Sequence, residues 1–188
     1  METTPSQTIG PFFHLCLTVD ETAGRLAGPG AEGERVMLIC RVLDGDGVPV
    51  DDAMIELWQA DASGAYNHPN DPRYTGHDPA FRGFGRLATN HEGVCVFETV
   101  KPGRVSGSNG TSEAPHINVS IFARGLLKRA ITRIYFEGDP ANQQDPVLAM
   151  TPAVCRQTLM ARQDSAKPPA WTFDIHLCGE RETVFFEI

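Results

Sequence analysis

Glycine and proline together take about one position in six of this chain, 18 and 14 of 188 residues. Their usual combined share is about 12%. Proline is excluded from helix interiors and glycine weakens them. Punctuation this dense leaves little room for long helices and fits short strands joined by turns. The hydrophobic share of 41% is enough for a packed interior of about one domain.

Where the turns leave room, apolar residues recur at period two. Val36, Leu38, Cys40 and Val42 fall on one face, and Asp44-Gly45-Asp46-Gly47 then turns the chain. A second strand over 54–59 puts Ile55 and Leu57 on one face and Trp58 on the other. Segments 84–88 and 94–100 read as a hairpin around Asn90-His91-Glu92-Gly93. Segments 116–123 and 130–136 alternate strongly, and 171–177 and 183–187 close the chain. The one helical candidate, 152–162, carries Val154, Leu159 and Met160 as a weak apolar stripe. Two irregular stretches, 60–82 and 101–115, are of the length that functional loops have. The expected architecture is all-β, a single β-sandwich over 35–188 with long loops, preceded by an N-terminal arm and loop over 1–34.

A net charge of −8 repels phosphate backbones and anionic lipid, which argues against nucleic acid and membranes as partners. No apolar run approaches the ~20 residues of a membrane span. The opening Met-Glu-Thr-Thr-Pro has neither a basic nor an apolar leader region, so no secretory signal is expected. The five cysteines are widely spaced with no C-x-x-C pair, which fits buried reduced thiols in a cytoplasmic protein.

Phosphate-loop, nucleophile-elbow and H-E-x-x-H signatures are absent. The most informative stretch is Pro115-His116-Ile117-Asn118-Val119-Ser120-Ile121. In a strand, His116, Asn118 and Ser120 share one face while Ile117, Val119 and Ile121 face the core. Two side chains at i and i+2 can reach one ion, but a carboxamide at 118 is a weak ligand for iron, copper or zinc. Alone, His116 reads as a hydrogen-bonded structural histidine rather than as a ligand. Tyr66, in the long loop, reads as a packing residue, or as a phenolate ligand suited to a trivalent ion.

Four blocks in order resemble the intradiol ring-cleaving dioxygenases. They are Thr4 to Phe12, Leu57-Trp58-Gln59-Ala60-Asp61 with Gly64-Ala65-Tyr66, Gly85-Arg86 through Lys101-Pro102-Gly103, and Pro115-His116 through Arg133 to Asp139. The ending Glu182-Thr183-Val184-Phe185-Phe186 also fits. The resemblance implies a ferric ion held by two tyrosines and two histidines. At those places this chain has Tyr66, Val105 after the Lys-Pro-Gly turn, His116 and Asn118. Tyr74 and Tyr135 are not obvious replacements. Valine supplies no ligand atom and asparagine no charge.

The resemblance therefore implies the degenerate α-type chain of the two-chain members that cleave protocatechuate. A homologous β subunit would hold the Fe(III) and, with O2, open 3,4-dihydroxybenzoate to 3-carboxy-cis,cis-muconate. This chain would carry no metal ligand and no catalytic residue. It would lend substrate-binding wall from Thr8, Gly10 and Pro11 on the arm and from Arg133, whose guanidinium suits a carboxylate. The alternative is a non-catalytic module of the transthyretin-like or carboxypeptidase-regulatory-like kind. Residues 47–53 and 90–97 fit such a module, but the arm and the 116–139 block do not.

Overall fold

The computed structural model describes residues 13–74, 78–107, 110–164 and 169–187. Ten strands occur among them: β1 Arg35–Leu43, β2 Met54–Gln59, β3 Phe84–Ala88, β4 Val94–Val100, β5 Val105–Ser106, β6 Ser112–Glu113, β7 His116–Phe122, β8 Ala130–Phe136, β9 Met160–Asp164 and β10 Ala170–His176. The α-helices among them are the short α1 Phe13–Leu17 and α2 Pro146–Met150, and Glu21–Gly24, Pro140–Gln144 and Arg156–Leu159 are 3-10 turns. No helix among the described residues is long and apolar enough to cross a membrane. The protein is all-β, as the turn density demands.

Eight strands form one hydrogen-bonded order, β3-β2-β7-β8-β9-β10-β1-β4, and β5 and β6 form a separate two-stranded sheet. Most neighbours are antiparallel, whereas β1 with β10 and β8 with β9 run parallel. β9 joins the two halves, antiparallel to β10 and parallel to β8. The alternating residues of the sequence meet in one core. Val36, Leu38, Cys40 and Val42 of β1 pack with Ile55 and Leu57 of β2, Ile117, Val119 and Ile121 of β7, and Phe97, Phe136 and Phe173. Burying such side chains stabilises by roughly 1.5–3 kcal/mol each before chain entropy is counted.

The expected hairpin is not one. Asn90 does make the turn, its Oδ1 accepting from the Glu92 and Val94 amides at 2.9 Å each, with Gly93 at φ +70°. The strands on either side then part, β3 to β2 and β4 to β1, becoming the two ends of the sheet order. Thr89 fixes the corner, its hydroxyl 2.7 Å from the Val50 carbonyl. A good turn sets chain reversal; long-range pairing decided which strands met.

The expected helix over 152–162 is also replaced. Asp145 caps α2 by accepting from the Val147 and Leu148 amides at 2.9 Å, and Pro146 supplies the first helical residue. Helix then stops at Met150, and Arg156–Leu159 form only a 3-10 turn. Val154, at 89% exposure, has nothing to bury against, while the apolar residue Ala161 enters the core from strand β9. Among the described residues, 183–187 join no strand ladder. They lie along β8 through Phe186 N to Ile131 O at 2.8 Å and Thr132 Oγ1 to Val184 O at 2.7 Å.

Within 1–34, Ala23, Leu26 and Ala27 are buried in this chain, and Leu26 belongs to the main core. Leu15 and Val19 are exposed. All five cysteines are free, but only Cys40 and Cys95 are buried; Cys16 and Cys178 are exposed, which corrects the expectation that all were buried.

Candidate functional site

Tyr66 is placed by a loop tied at both ends. Asp61 Oδ1 accepts from the Ser63 and Ala65 amides at 2.9 and 3.0 Å, and Asp71 Oδ2 accepts from the Tyr66 amide at 2.8 Å. Gly64 sits at φ +88°, where a Cβ would overlap the Arg104 carbonyl oxygen. Only glycine lets the loop close on the chain leading into β5. The Tyr66 ring then stacks on Trp58, centroids 5.7 Å apart and planes 10° off parallel.

β7 brings His116 and Asn118 up to that ring, on the face opposite Ile117 and Val119, as the alternation requires. Asn118 Nδ2 lies 3.1 Å from the Tyr66 hydroxyl and 3.3 Å from the Trp58 carbonyl. A carbonyl only accepts, so the amide nitrogen, and not its oxygen, faces the phenol. His116 is 1% exposed, and its Nδ1 lies 2.8 Å from the Ala114 carbonyl. By the same argument Nδ1 carries the proton and Nε2 is an acceptor in the neutral ring. The Tyr66 hydroxyl is 3.5 Å from that Nε2.

Arg133 stands opposite Asn118 in the β7–β8 register, and Tyr135 opposite His116. The guanidinium Nη1 is 2.6 Å from Glu113 Oε2, and the same oxygen is 3.6 Å from His116 Nε2. Beneath lies the buried carboxylate of Asp145. Its Oδ1 accepts from Tyr135 at 3.1 Å as well as from the start of α2, and its Oδ2 accepts from the Ala114 amide at 2.7 Å. Burial, then Arg133, holds the His116 imidazole below its ordinary pKa. Burial likewise pushes the Tyr66 phenol up, against the opposing pull of Asn118 and Arg133. The chemistry of the cluster is thus a neutral phenol, a neutral imidazole and one internal ion pair.

Three of the five described residues singled out in the sequence, Tyr66, His116 and Asn118, are in direct contact, and Arg133 reaches them through Glu113. Val105 is buried in β5 and pairs with Glu113 in register, on the strand that carries the pocket's carboxylate. Thr8, Gly10 and Pro11 lie outside the described residues. Glu113, Tyr135 and Asp145 were missed as site residues. Asp145-Pro146 is a helix-start signal that was there to be found; Glu113 on a two-residue strand leaves no periodic trace.

The family described as Dioxygenase matches residues 9–179. The chain belongs to this dioxygenase family. It is 40% identical to the protocatechuate 3,4-dioxygenase alpha chain of Burkholderia cepacia, over 100% of this chain and 98% of that one. The beta chain of the same organism's enzyme is 35% identical over 95% of this chain and 77% of its own length. Among solved structures, the dioxygenase domain of a carbohydrate-binding fusion from Streptomyces sp. SirexAA-E superposes with a TM-score of 0.63 at 26% identity, covering 97% of this chain and 100% of that one. The binding-module reading of 47–53 and 90–97 is displaced by this membership, and intradiol dioxygenases are non-haem iron enzymes.

Proposed function

We propose that this chain is the α-type subunit of a protocatechuate 3,4-dioxygenase. It ligates no iron and shapes part of the pocket in which a homologous β subunit, bearing Fe(III), cleaves 3,4-dihydroxybenzoate between its hydroxylated carbons with O2. The observation that carries this reading is the donor set at the four ligand places. Val105 offers no donor atom, and Asn118 turns its amide hydrogens, not its oxygen, to the Tyr66 oxygen. Tyr66 and His116 remain as neutral groups facing each other beside an ion pair already closed between Arg133 and Glu113. Ferric ion favours anionic oxygen ligands, and burial has moved this phenol away from ionising. The residues present do not fit the metal.

Likeness along the full length to an alpha chain, closer than to the beta chain of the same organism, supports the subunit assignment. We assign Thr8, Gly10 and Pro11 to the wall facing the partner's iron. Arg133 joins them as a positive edge toward the substrate carboxylate. Its side chain is 22% exposed while Nη1 holds Glu113. We read the sheet as two sandwich layers, β3-β2-β7-β8 over β4-β1-β10 with β9 at the corner; the shared core cluster supports this. Free cysteines, two of them exposed, suit the cytoplasm.

The test is co-expression with the homologous β chain. Protocatechuate-dependent O2 uptake is expected from the co-purified pair and not from this chain alone. Equal uptake by the lone chain would overturn the assignment.

A further inference from the structure

We infer that the Arg133 guanidinium is the resident cation of this pocket, seated on the carboxylate that would otherwise complete a three-donor metal site of Tyr66, His116 and Glu113. All of these groups belong to this chain. His116 Nε2 lies 3.5 Å from the Tyr66 oxygen and 3.6 Å from Glu113 Oε2. Donors bound to one tetrahedral ion by bonds of about 2.1 Å sit about 3.4 Å apart. His116 Nδ1 is held by the Ala114 carbonyl, which leaves Nε2 as the free lone pair, the tautomer a metal-binding imidazole has. The phenol oxygen and the carboxylate oxygen therefore each stand from the imidazole nitrogen at the spacing of two donors on one small divalent ion.

What stands against binding is a charge already present. Arg133 Nη1 is 2.6 Å from the shared carboxylate oxygen, with the two side chains 22% and 18% exposed. An ion entering the triad would have to displace that bond and lie close to a fixed positive charge in a poorly solvated place. Glu113 and Arg133 face each other from β6 and β8, so loss of the ferric ligands at 105 and 118 is only half of the account. The other half is a guanidinium that supplies the positive charge the pocket's carboxylate requires.

Arg133→Met removes that charge and leaves the triad intact. Incubation with Co2+, gel filtration and elemental analysis should then find about one cobalt per chain. Wild type and Arg133→Lys should retain none. In the chain co-purified with its iron-bearing partner, cobalt is counted separately from iron. Arg133→Gln, which keeps a hydrogen bond to Glu113 without the charge, is the second variant should the methionine protein misfold. Adding Glu113→Gln to either variant should abolish cobalt retention. Cobalt bound by wild type and lost on His116→Ala would overturn the inference, as would its absence from both charge-removed variants when their circular dichroism matches wild type.

Discussion

Asp145 is a single buried carboxylate on which the floor of the pocket depends, and its replacement separates geometry from charge. The side chain, in a residue 1% exposed, accepts four hydrogen bonds: from Tyr135 Oη, from the Val147 and Leu148 amides, and from the Ala114 amide. Asp145→Asn keeps one acceptor oxygen. If that oxygen takes the Oδ1 place, three bonds survive and the new amide group meets the Ala114 N–H, donor against donor. Losing one bond to a charged acceptor costs about 1.5–3 kcal/mol, so a loss of about 2 kcal/mol is expected. Asp145→Ala strands all four donors, and at about 1–1.5 kcal/mol each the loss is about 4–6 kcal/mol. Urea unfolding of the full chain followed by circular dichroism measures both. Since Ala114 also holds the His116 ring, the near-ultraviolet signal of the tyrosines should change in the alanine variant before global unfolding. An asparagine variant within about 0.5 kcal/mol of wild type, a size typical of a neutral surface change, would refute the reasoning.

Gly64→Ala must place a Cβ on the Arg104 carbonyl at a left-handed φ, so it should cost about 2 kcal/mol or more and loosen the Tyr66–Trp58 stack, visible as a change in tryptophan fluorescence. Ile117→Ala should cost about 2–5 kcal/mol, whereas Ser120→Ala, on the opposite face of the same strand, should stay within about 0.5 kcal/mol; urea midpoints decide. His116 has a folded-state pKa below its unfolded value of about 6.5, so the unfolded chain binds the proton first. Its contribution is complete above about pH 6.5 and is lost as pH falls toward the folded pKa, and His116→Gln should flatten that part of the stability–pH curve.

What the sequence showed and what it hid divide along a physical line. The two faces of β7 were legible because alternation is a property of one strand, independent of its partners. The 84–100 segment misled because a turn motif is local, while the pairing of β3 with β2 and β4 with β1 is a competition across the chain. The helix expected over 152–162 failed for want of a surface to cover Val154, which stands 89% exposed, while Leu159 is buried from a 3-10 turn. In the site, the ligand places were visible through the resemblance to the family, carried by short blocks of sequence in order. Glu113 and Asp145 were not, because each acts through a partner brought close only by folding, Arg133 on β8 for one and Ala114 and Tyr135 for the other.

The iron content and visible absorption of the full chain, purified alone after expression in iron-replete medium, test the central claim most directly. The account predicts a colourless protein with no stoichiometric iron and no tyrosinate-to-iron band, and one iron per pair once the β chain is present. A coloured lone chain with one iron per molecule, lost on Tyr66→Phe, would contradict it.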